Sequence, residues 1–544
     1  MGNNAGKQNS FMKNVSFLMI ATLISRVIGL LYRSPLYSAV GRVGMGYYSI
    51  AYELYAILLL ISAYSIPMAI AKVISDRLAV REYKNAHTIF KSALLYAAAS
   101  GGAAALFAIF GGRLILAAEQ EGAFLALRIL GPTIFLSAIL GVLRGYFQAH
   151  NNMTPTAISQ VLEQIANAIV SIVAAILFID TFAIDAQSEA IYGAAGGALG
   201  TGVGVLIGLA FMILVYMLNK NTIHRRIAND HNKDTETIKS AMKIIILMVT
   251  PIIFSTFIYS ANTSINNYIF ATLMGRRGID KDVILTLQGE YSNCYSPLIH
   301  IPLALSSATS SAMLPAVAAL YIQRQTSAIN DKIRSAIRLT MFICIPAAMG
   351  LSVLAFPIMA TLFPTSTDVA GKLLLFGAFS VIFAALSTIM NGVLQAIGKP
   401  KIPLRNAAVS LAINIVTLVG LLWFTDILNI YAILIVSILF SVTMCVLNSF
   451  ALKKYLGYKN EYSDTYIKPL LAALGMGIVA WLVYYSLYTV LPIRIVSLGV
   501  AIVLAVIVYL ILFVVISKTS EEELRRLPFG NYAVKFMKII RVYR

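Results

Sequence analysis

Charge is what this chain has little of. Only 12% of its 544 residues are Asp, Glu, Lys or Arg, against 59% hydrophobic residues and a positive mean hydropathy. A soluble domain carries about twice that share of charge, so the composition excludes an ordinary soluble enzyme and describes a polytopic membrane protein. Cysteine is scarce as well. Cys294, Cys344 and Cys445 lie in apolar runs without CxxC or Cys/His spacing, so neither a disulfide framework nor a zinc site is indicated, and no metal or other cofactor is expected. Acidic residues are the rarer sign, 23 against 42 Lys and Arg, which leaves a net charge of +19. Because the basic residues flank apolar runs, that excess reads as attraction to anionic inner-leaflet lipid, with no nucleic-acid partner. Long loops are absent too: none exceeds roughly 25 residues, shorter than the smallest usual domain. The first ten residues are polar and no small-residue cleavage site follows the first apolar run, so that run is expected to be a retained helix.

What is present is a series of apolar runs of about 20 residues, the length a bilayer core demands. Fourteen are expected: 14–38, 47–73, 90–112, 124–148, 156–180, 191–218, 242–273, 284–317, 336–362, 370–397, 402–425, 428–452, 467–490 and 495–517. An even number puts both termini on one side. Placing the N-terminus inside leaves 32 of the 42 Lys and Arg on or at the margin of the cytoplasmic face, 8 outside, and Arg26 and Arg33 within the first span. Positive residues accumulate in cytoplasmic loops, so both termini are expected in the cytoplasm of a bacterial plasma-membrane protein. The acidic outer loop around Asp180, Asp185 and Glu189 agrees with that orientation, as does the inner segment from Lys220 to Lys243 with its six basic residues.

The chain also repeats itself. IPMAIA at 66–71 corresponds to IPLALS at 301–306, KSALL at 91–95 to RSAIR at 334–338, and GYFQA at 145–149 to GVLQA at 392–396, while Asn167 and Asn414 keep the last offset. Each match is weak alone, but their order is the same in both halves. Six spans per copy give both copies one orientation, the parallel-repeat arrangement of transporters. The expected fold is therefore all-α with 14 transmembrane helices. Two six-helix lobes, 1–220 and 221–452, are followed by two C-terminal helices and a basic tail over 453–544.

Two arginines lie inside the first span. A charge at mid-bilayer costs about 2.5–3.5 kcal/mol on insertion scales, so Arg26 and Arg33 require a hydrated cavity or a partner. Their spacing of seven residues puts them on one helical face, roughly 10 Å apart. Arg33 lies further out, where an ion pair with Glu53 of the second span is the plain alternative; for Arg26, about 13 Å deep, an anion-binding cavity is favoured. An arginine fork matches phosphate oxygens bidentately, and two forks on one face suit a diphosphate.

At this point the residues resemble a family. ISRVIG at 24–29 and RGYFQAHNNMTPTAISQVLEQ at 144–164 look like the polysaccharide-biosynthesis and lipid II flippase branch, MurJ/SpoVB-type, of the multidrug/oligosaccharidyl-lipid/polysaccharide exporter superfamily. The resemblance implies a V-shaped flippase moving an undecaprenyl-diphosphate-linked saccharide to the outer leaflet by alternating access. It also implies that the first-span arginines line the cavity, with the last two helices forming a groove for the lipid tail. Arg26 matches the arginine of the family's Ser-Arg-x-x-Gly pattern; Arg33 matches the next one only approximately. Gram-negative relatives carry further cavity arginines in the second and eighth spans. Here the second offers Glu53 and Lys72, and the eighth Glu290 and His300 beside Pro297 and Pro302.

Several residues carry two readings. Asn262 and Asn266, one turn apart in SANTSINNY, could face a sugar or make interhelical hydrogen bonds. Arg144, Gln148, Glu163, Glu290 and His300 are candidates for a gate or a coupling site, with Glu163 alternatively pairing with Arg144 and His300 serving as an interior histidine or a proton relay. Gly196, Gly200, Gly204 and Gly208 form a stripe that lets helices pack closely. The coupling ion, proton or sodium, stays open, and the chain is expected to be a monomer. Lipid II is the first choice of substrate, ahead of another lipid-linked polysaccharide or a sporulation-specific precursor. A drug/ion antiporter on the same fold is a second class. A membrane glycosyltransferase or polymerase is a third, disfavoured because the short outer loops leave little room for a catalytic mouth.

Overall fold

The computed structural model describes residues 21, 24–64, 66–150, 152–230, 236–425, 429–459, 461–517, 521 and 534. Among them there are helices and no strand. The chain divides between Gly289 and Glu290 into two compact units.

The first unit contains a helical stretch at 24–31 followed by α1 (Arg33–Leu59), α2 (Ile66–Ala79), α3 (Tyr83–Leu106), α4 (Phe124–Ala149), α5 (Thr154–Phe182), α6 (Ala186–Ala228), α7 (Ile238–Arg276) and α8 (Lys281–Gly289). The second contains α9 (Ser296–Ile322), α10 (Thr326–Val353), α11 (Ala355–Leu362), α12 (Asp368–Gly377), α13 (Ser380–Ala396), α14 (Lys401–Phe424), α15 (Tyr431–Leu456), α16 (Lys468–Val490) and α17 (Arg494–Ser517). Among the described residues, ten helical stretches are long and apolar enough to cross a membrane, or eleven if α12 and α13, bent by 48°, form one span. The count of fourteen is thus not reproduced, and the differences are local. Residues 14–20 of the first expected run lie outside the described residues. The stretch Arg33–Leu59 is kinked at Gly41, inside the gap expected between the first and second runs, where its φ of +76° turns the chain in a way that would strain a side chain. The eighth run is divided among α8, a π-helical turn at Glu290–Tyr295, and α9.

Close packing of α5 on α6 organises the first unit. A Cβ on Gly196 would strike the Ala174 carbonyl, one on Gly200 the Ser171 side chain, and one on Gly204 would come within 2.6 Å of the Glu163 carbonyl. The glycine stripe therefore serves backbone approach, as its four-residue period suggests. Asn167 ties the same pair together by accepting from Thr201 Oγ1 of α6 at 3.4 Å, and it also accepts from Ser171 Oγ one turn along α5 at 2.9 Å. Its repeat counterpart Asn414, on α14, donates to the Val436 carbonyl of α15 at 2.8 Å.

The repeat is legible in other pairs. GYFQA closes α4 at Ala149, and GVLQA closes α13 at Ala396. In each copy the glycine of that motif admits the helix carrying the Ile-Pro motif: Gly145 faces Pro67 of α2, and Gly392 faces Ser310 of α9. Both Ile-Pro segments also follow a π-helical turn, Leu60–Tyr64 and Glu290–Tyr295, a local widening that recurs at functional sites.

At 43 residues, α6 measures about 65 Å at 1.5 Å per residue, well beyond a hydrocarbon core of about 30 Å. Its N-terminus is fixed by a reciprocal cap: Ser188 N–H donates to Asp185 Oδ1 at 2.7 Å, and Asp185 N–H donates to Ser188 Oγ at 2.9 Å. The hydrogen bonds from Ser188 hold the Asp185 carboxyl below the usual carboxylate range. The opposite end carries Lys220, Arg225 and Arg226 out of the apolar stretch.

Candidate functional site

The candidate site is a polar cavity of about 310 Å³ within the first unit, enclosed by α1, α2, α4, α5 and α6. The α4 and α5 helices, joined by the turn of the RGYFQAHNNMTP motif, bring Arg144, Gln148 and Glu163 onto its wall. Arg144 Nη2 donates to Glu163 Oε2 at 2.7 Å while its Nε donates to Ser159 Oγ at 2.9 Å. The pair's side chains keep only 15% and 20% of their exposure, so each charge depends on the other for compensation. Tyr52 and Tyr55 of α1 close the cavity opposite. Such a chamber offers phenol, amide and hydroxyl groups with no net charge in its central ion pair, which suits water or sugar hydroxyls better than a naked ion.

The first-span arginines occupy different surroundings. Arg26 is exposed on the 24–31 stretch, where a Cβ on neighbouring Gly29 would lie 3.4 Å from Gln164 Oε1 of α5. Arg33 is half-buried and lies within electrostatic range of the Tyr48 and Tyr52 hydroxyls. Glu53 accepts from Asn267 Nδ2 at 2.7 Å.

That contact belongs to a buried network the sequence reading missed. The Asn267 backbone carbonyl accepts from Gln288 Nε2 at 2.7 Å and Gln120 Nε2 at 3.3 Å, and Gln120 Nε2 also reaches Gln288 Oε1 at 3.3 Å. The available signal was the Asn-Asn doublet at 266–267, which puts polar groups on two faces of one helix. Asn262 and Asn266 are buried on the same helix. Both side-chain polar atoms of Asn266, and Asn262 Oδ1, have no partner among the described residues, and Asn266 has no exposed surface. Orphaned buried amides of this kind are the places where water, an ion or a ligand group completes a structure.

In the second unit, Glu290 is fully buried and receives the Thr367 N–H at 2.5 Å and the Thr367 hydroxyl at 2.7 Å, at the N-terminus of α12. A carboxylate there is favoured by the helix dipole. His300 is exposed and its Nδ1–H donates to the Ser296 carbonyl at 2.7 Å, one turn back in α9.

The chain matches the family model described as polysaccharide biosynthesis protein over residues 11–321 and the MatE model over residues 293–419. It is 24% identical to the lipid II flippase MurJ of Bacillus subtilis (strain 168) over 430 residues, which are 75% of this chain and 76% of the relative. Among solved structures, lipid II flippase MurJ in an inward closed conformation superposes with a TM-score of 0.63 at 17% identity, covering 92% of this chain and 98% of that one. An inward-facing multidrug resistance MATE family transporter of the MOP superfamily superposes with a TM-score of 0.62 at 14% identity, covering 82% and 98%. These neighbours are transporters and not enzymes, and they carry the all-helical fold expected from the sequence. With its family model matched over more than half of its length, the chain belongs to the polysaccharide biosynthesis protein family.

Proposed function

We propose that this protein is a flippase that carries an undecaprenyl-diphosphate-linked saccharide, lipid II before other candidates, from the inner to the outer leaflet of the bacterial plasma membrane by alternating access. The observation that carries this reading is the pair of first-span arginines, Arg26 exposed and Arg33 half-buried, in a chain of this family and fold. Guanidinium forks at membrane depth suit a diphosphate. The similarity to a protein named lipid II flippase supports the choice of substrate. In this reading Asn262 and Asn266 offer amides to the saccharide. Glu53 and Glu290 are the carboxylates to test for proton coupling, and Arg144, Gln148 and Glu163 form a gate-side chamber.

The MatE match keeps a drug/ion antiporter as the second reading. Against it, the acid in the described cavity is neutralised by Arg144, leaving Glu163 poorly placed to attract a cationic drug. Depletion of the protein in its own cell, followed by identification of lipid-linked precursors in the inner leaflet, tests the proposal. Accumulation of lipid II supports it, and accumulation of a different undecaprenyl-linked glycan reassigns the substrate. Unchanged precursor pools together with increased retention of cationic dyes would establish the antiporter instead.

A further inference from the structure

The turn of the RGYFQAHNNMTP motif has no part in the chamber just described beyond its first residues; His150 and Asn152 face elsewhere. They line a separate cleft of about 200 Å³ at the basic end of the first unit, together with His87 of α3 and Asn219, Thr222 and Arg226 of α6. The neighbouring acids are already engaged. Asp230 Oδ2 accepts from Lys84 N–H at 2.7 Å, Glu82 from Asn85 Nδ2 at 3.1 Å, and Glu236 pairs with Arg77. Among the described residues Arg226 forms no salt bridge, so the cleft presents a guanidinium whose donors are open to a ligand.

The remaining polar atoms are complementary to a ligand bearing hydroxyls. His150 Nδ1–H donates to the Tyr146 carbonyl at 2.9 Å, which fixes the tautomer and leaves Nε2 as an acceptor in the neutral ring. Burial lowers the His150 pKa and Arg226 lowers it further, against the opposing effect of the Tyr146 bond, so the neutral ring is favoured. Asn219 spends its amide N–H on the Val215 carbonyl at 2.8 Å, and its oxygen stays available. The Nδ1 atom of His87 is buried without a partner. Beyond the rim, Met217 and Leu218 on α6 and Val80 after α2 expose 63%, 76% and 61% of their surfaces, as residues meeting lipid do.

From this arrangement we infer that the cleft is a binding site for a phosphate ester carrying free hydroxyls, with the phosphate on Arg226 and the hydroxyls on His150 Nε2 and the Asn219 carbonyl oxygen. Two sources supply that chemistry: the headgroup of a glycerol phospholipid in the adjoining leaflet, or a soluble glycerol phosphate. The inference does not depend on which substrate the protein transports.

The test uses the full-length protein in neutral detergent, titrated separately with dihexanoylphosphatidylglycerol and with sn-glycerol 3-phosphate while binding is followed by native mass spectrometry. Three exposed positions on α6 are varied. Arg226→Gln removes the charge, Thr222→Trp fills the cleft without touching a charge, and Arg225→Gln removes a neighbouring charge that does not line the cleft. Loss of a charge-assisted hydrogen bond weakens binding by about tenfold or more, so that loss is expected in Arg226→Gln and Thr222→Trp but not in Arg225→Gln. This pattern with the lipid alone assigns the headgroup, and the same pattern with glycerol 3-phosphate assigns a soluble source; either supports the site. Equal weakening by Arg225→Gln and Arg226→Gln would reduce the cleft to surface electrostatics. Undiminished binding in Arg226→Gln and Thr222→Trp, or no binding of either probe to the parent protein, would overturn the site itself.

Discussion

Arg144 of α4 and Glu163 of α5 meet at 2.7 Å inside the first unit, with Ser159 Oγ as a second acceptor for the arginine. Removing one member of a mostly buried pair leaves the other charge desolvated without compensation, at a cost of about 3–5 kcal/mol. Arg144→Ala and Glu163→Ala are each expected to lower the thermal stability of the purified protein substantially. The double variant is expected to be more stable than the sum of the two losses implies. A double-mutant cycle of melting temperatures measures the difference, and strict additivity would show that the two charges are independently solvated.

That pair illustrates how much of the site could be read in advance. Arg144 and Glu163 stand 19 residues apart on either side of a turn whose motif is strongly patterned, so their pairing could be offered from the sequence as one of two readings. The glycine stripe was equally legible because a period of four has one geometric meaning on a helix. The Glu53–Asn267 contact was not, since 214 residues separate the partners and nothing in an apolar run specifies which distant helix an amide will meet. The donors to Glu290 and the cleft at His150 likewise depend on tertiary placement and not on spacing. The break between the first and second runs was legible as well, since the gap expected at 39–46 contains Gly41, where a positive φ kinks the chain.

Gly200, at the α5 and α6 interface, contrasts with Gly420 of α14. Gly200 has no room for a Cβ beside Ser171, whereas Gly420 has nothing within 4 Å of the corresponding position. Overpacking a tight contact costs about 1–3 kcal/mol or more, while Gly to Ala in an open helical position is neutral or stabilising by up to about 1 kcal/mol. Gly200→Leu is therefore expected to reduce the yield of monodisperse protein by size-exclusion chromatography, and Gly420→Ala to match or exceed the parent. A well-folded Gly200→Leu would show that the two helices can separate without penalty.

His150 predicts a pH dependence with a definite sign. Its folded-state pKa is lowered chiefly by burial and then by Arg226, so between that value and the ordinary histidine value of about 6.5 the unfolded chain binds more protons than the folded one. Stability is therefore complete above about pH 6.5 and falls as the pH drops through this window. His150→Gln keeps a polar side chain but removes the titration. Melting curves between pH 7.5 and 5 are expected to show a smaller acid-induced loss for His150→Gln than for the parent. A parallel loss in the two proteins would assign the pH dependence to other groups.

Arg26 carries the functional proposal furthest. It is exposed on the 24–31 stretch and makes no ion pair among the described residues, so its replacement disturbs no packed neighbour. If Arg26 lies at membrane depth, as the proposal holds, Arg26→Ala also removes an expensive charge, and the variant is expected to insert and fold like the parent. If the guanidinium grips the diphosphate, the loss of a charge-assisted hydrogen bond of about 1.5–3 kcal/mol weakens substrate binding by roughly ten- to a hundredfold. Arg26→Lys retains the charge without the planar fork, so it separates geometry from electrostatics and is expected to fall between the two. Arg33→Ala serves as the companion, because Arg33 is half-buried within electrostatic range of Tyr48 and Tyr52, and a drop in melting temperature is expected alongside any loss of transport. Binding of lipid-linked diphosphate and flipping in proteoliposomes, at matched expression and with melting temperatures recorded for each variant, give the comparison. Parent-like binding and transport by a stable Arg26→Ala would make Arg26 a bystander and place the diphosphate on other residues.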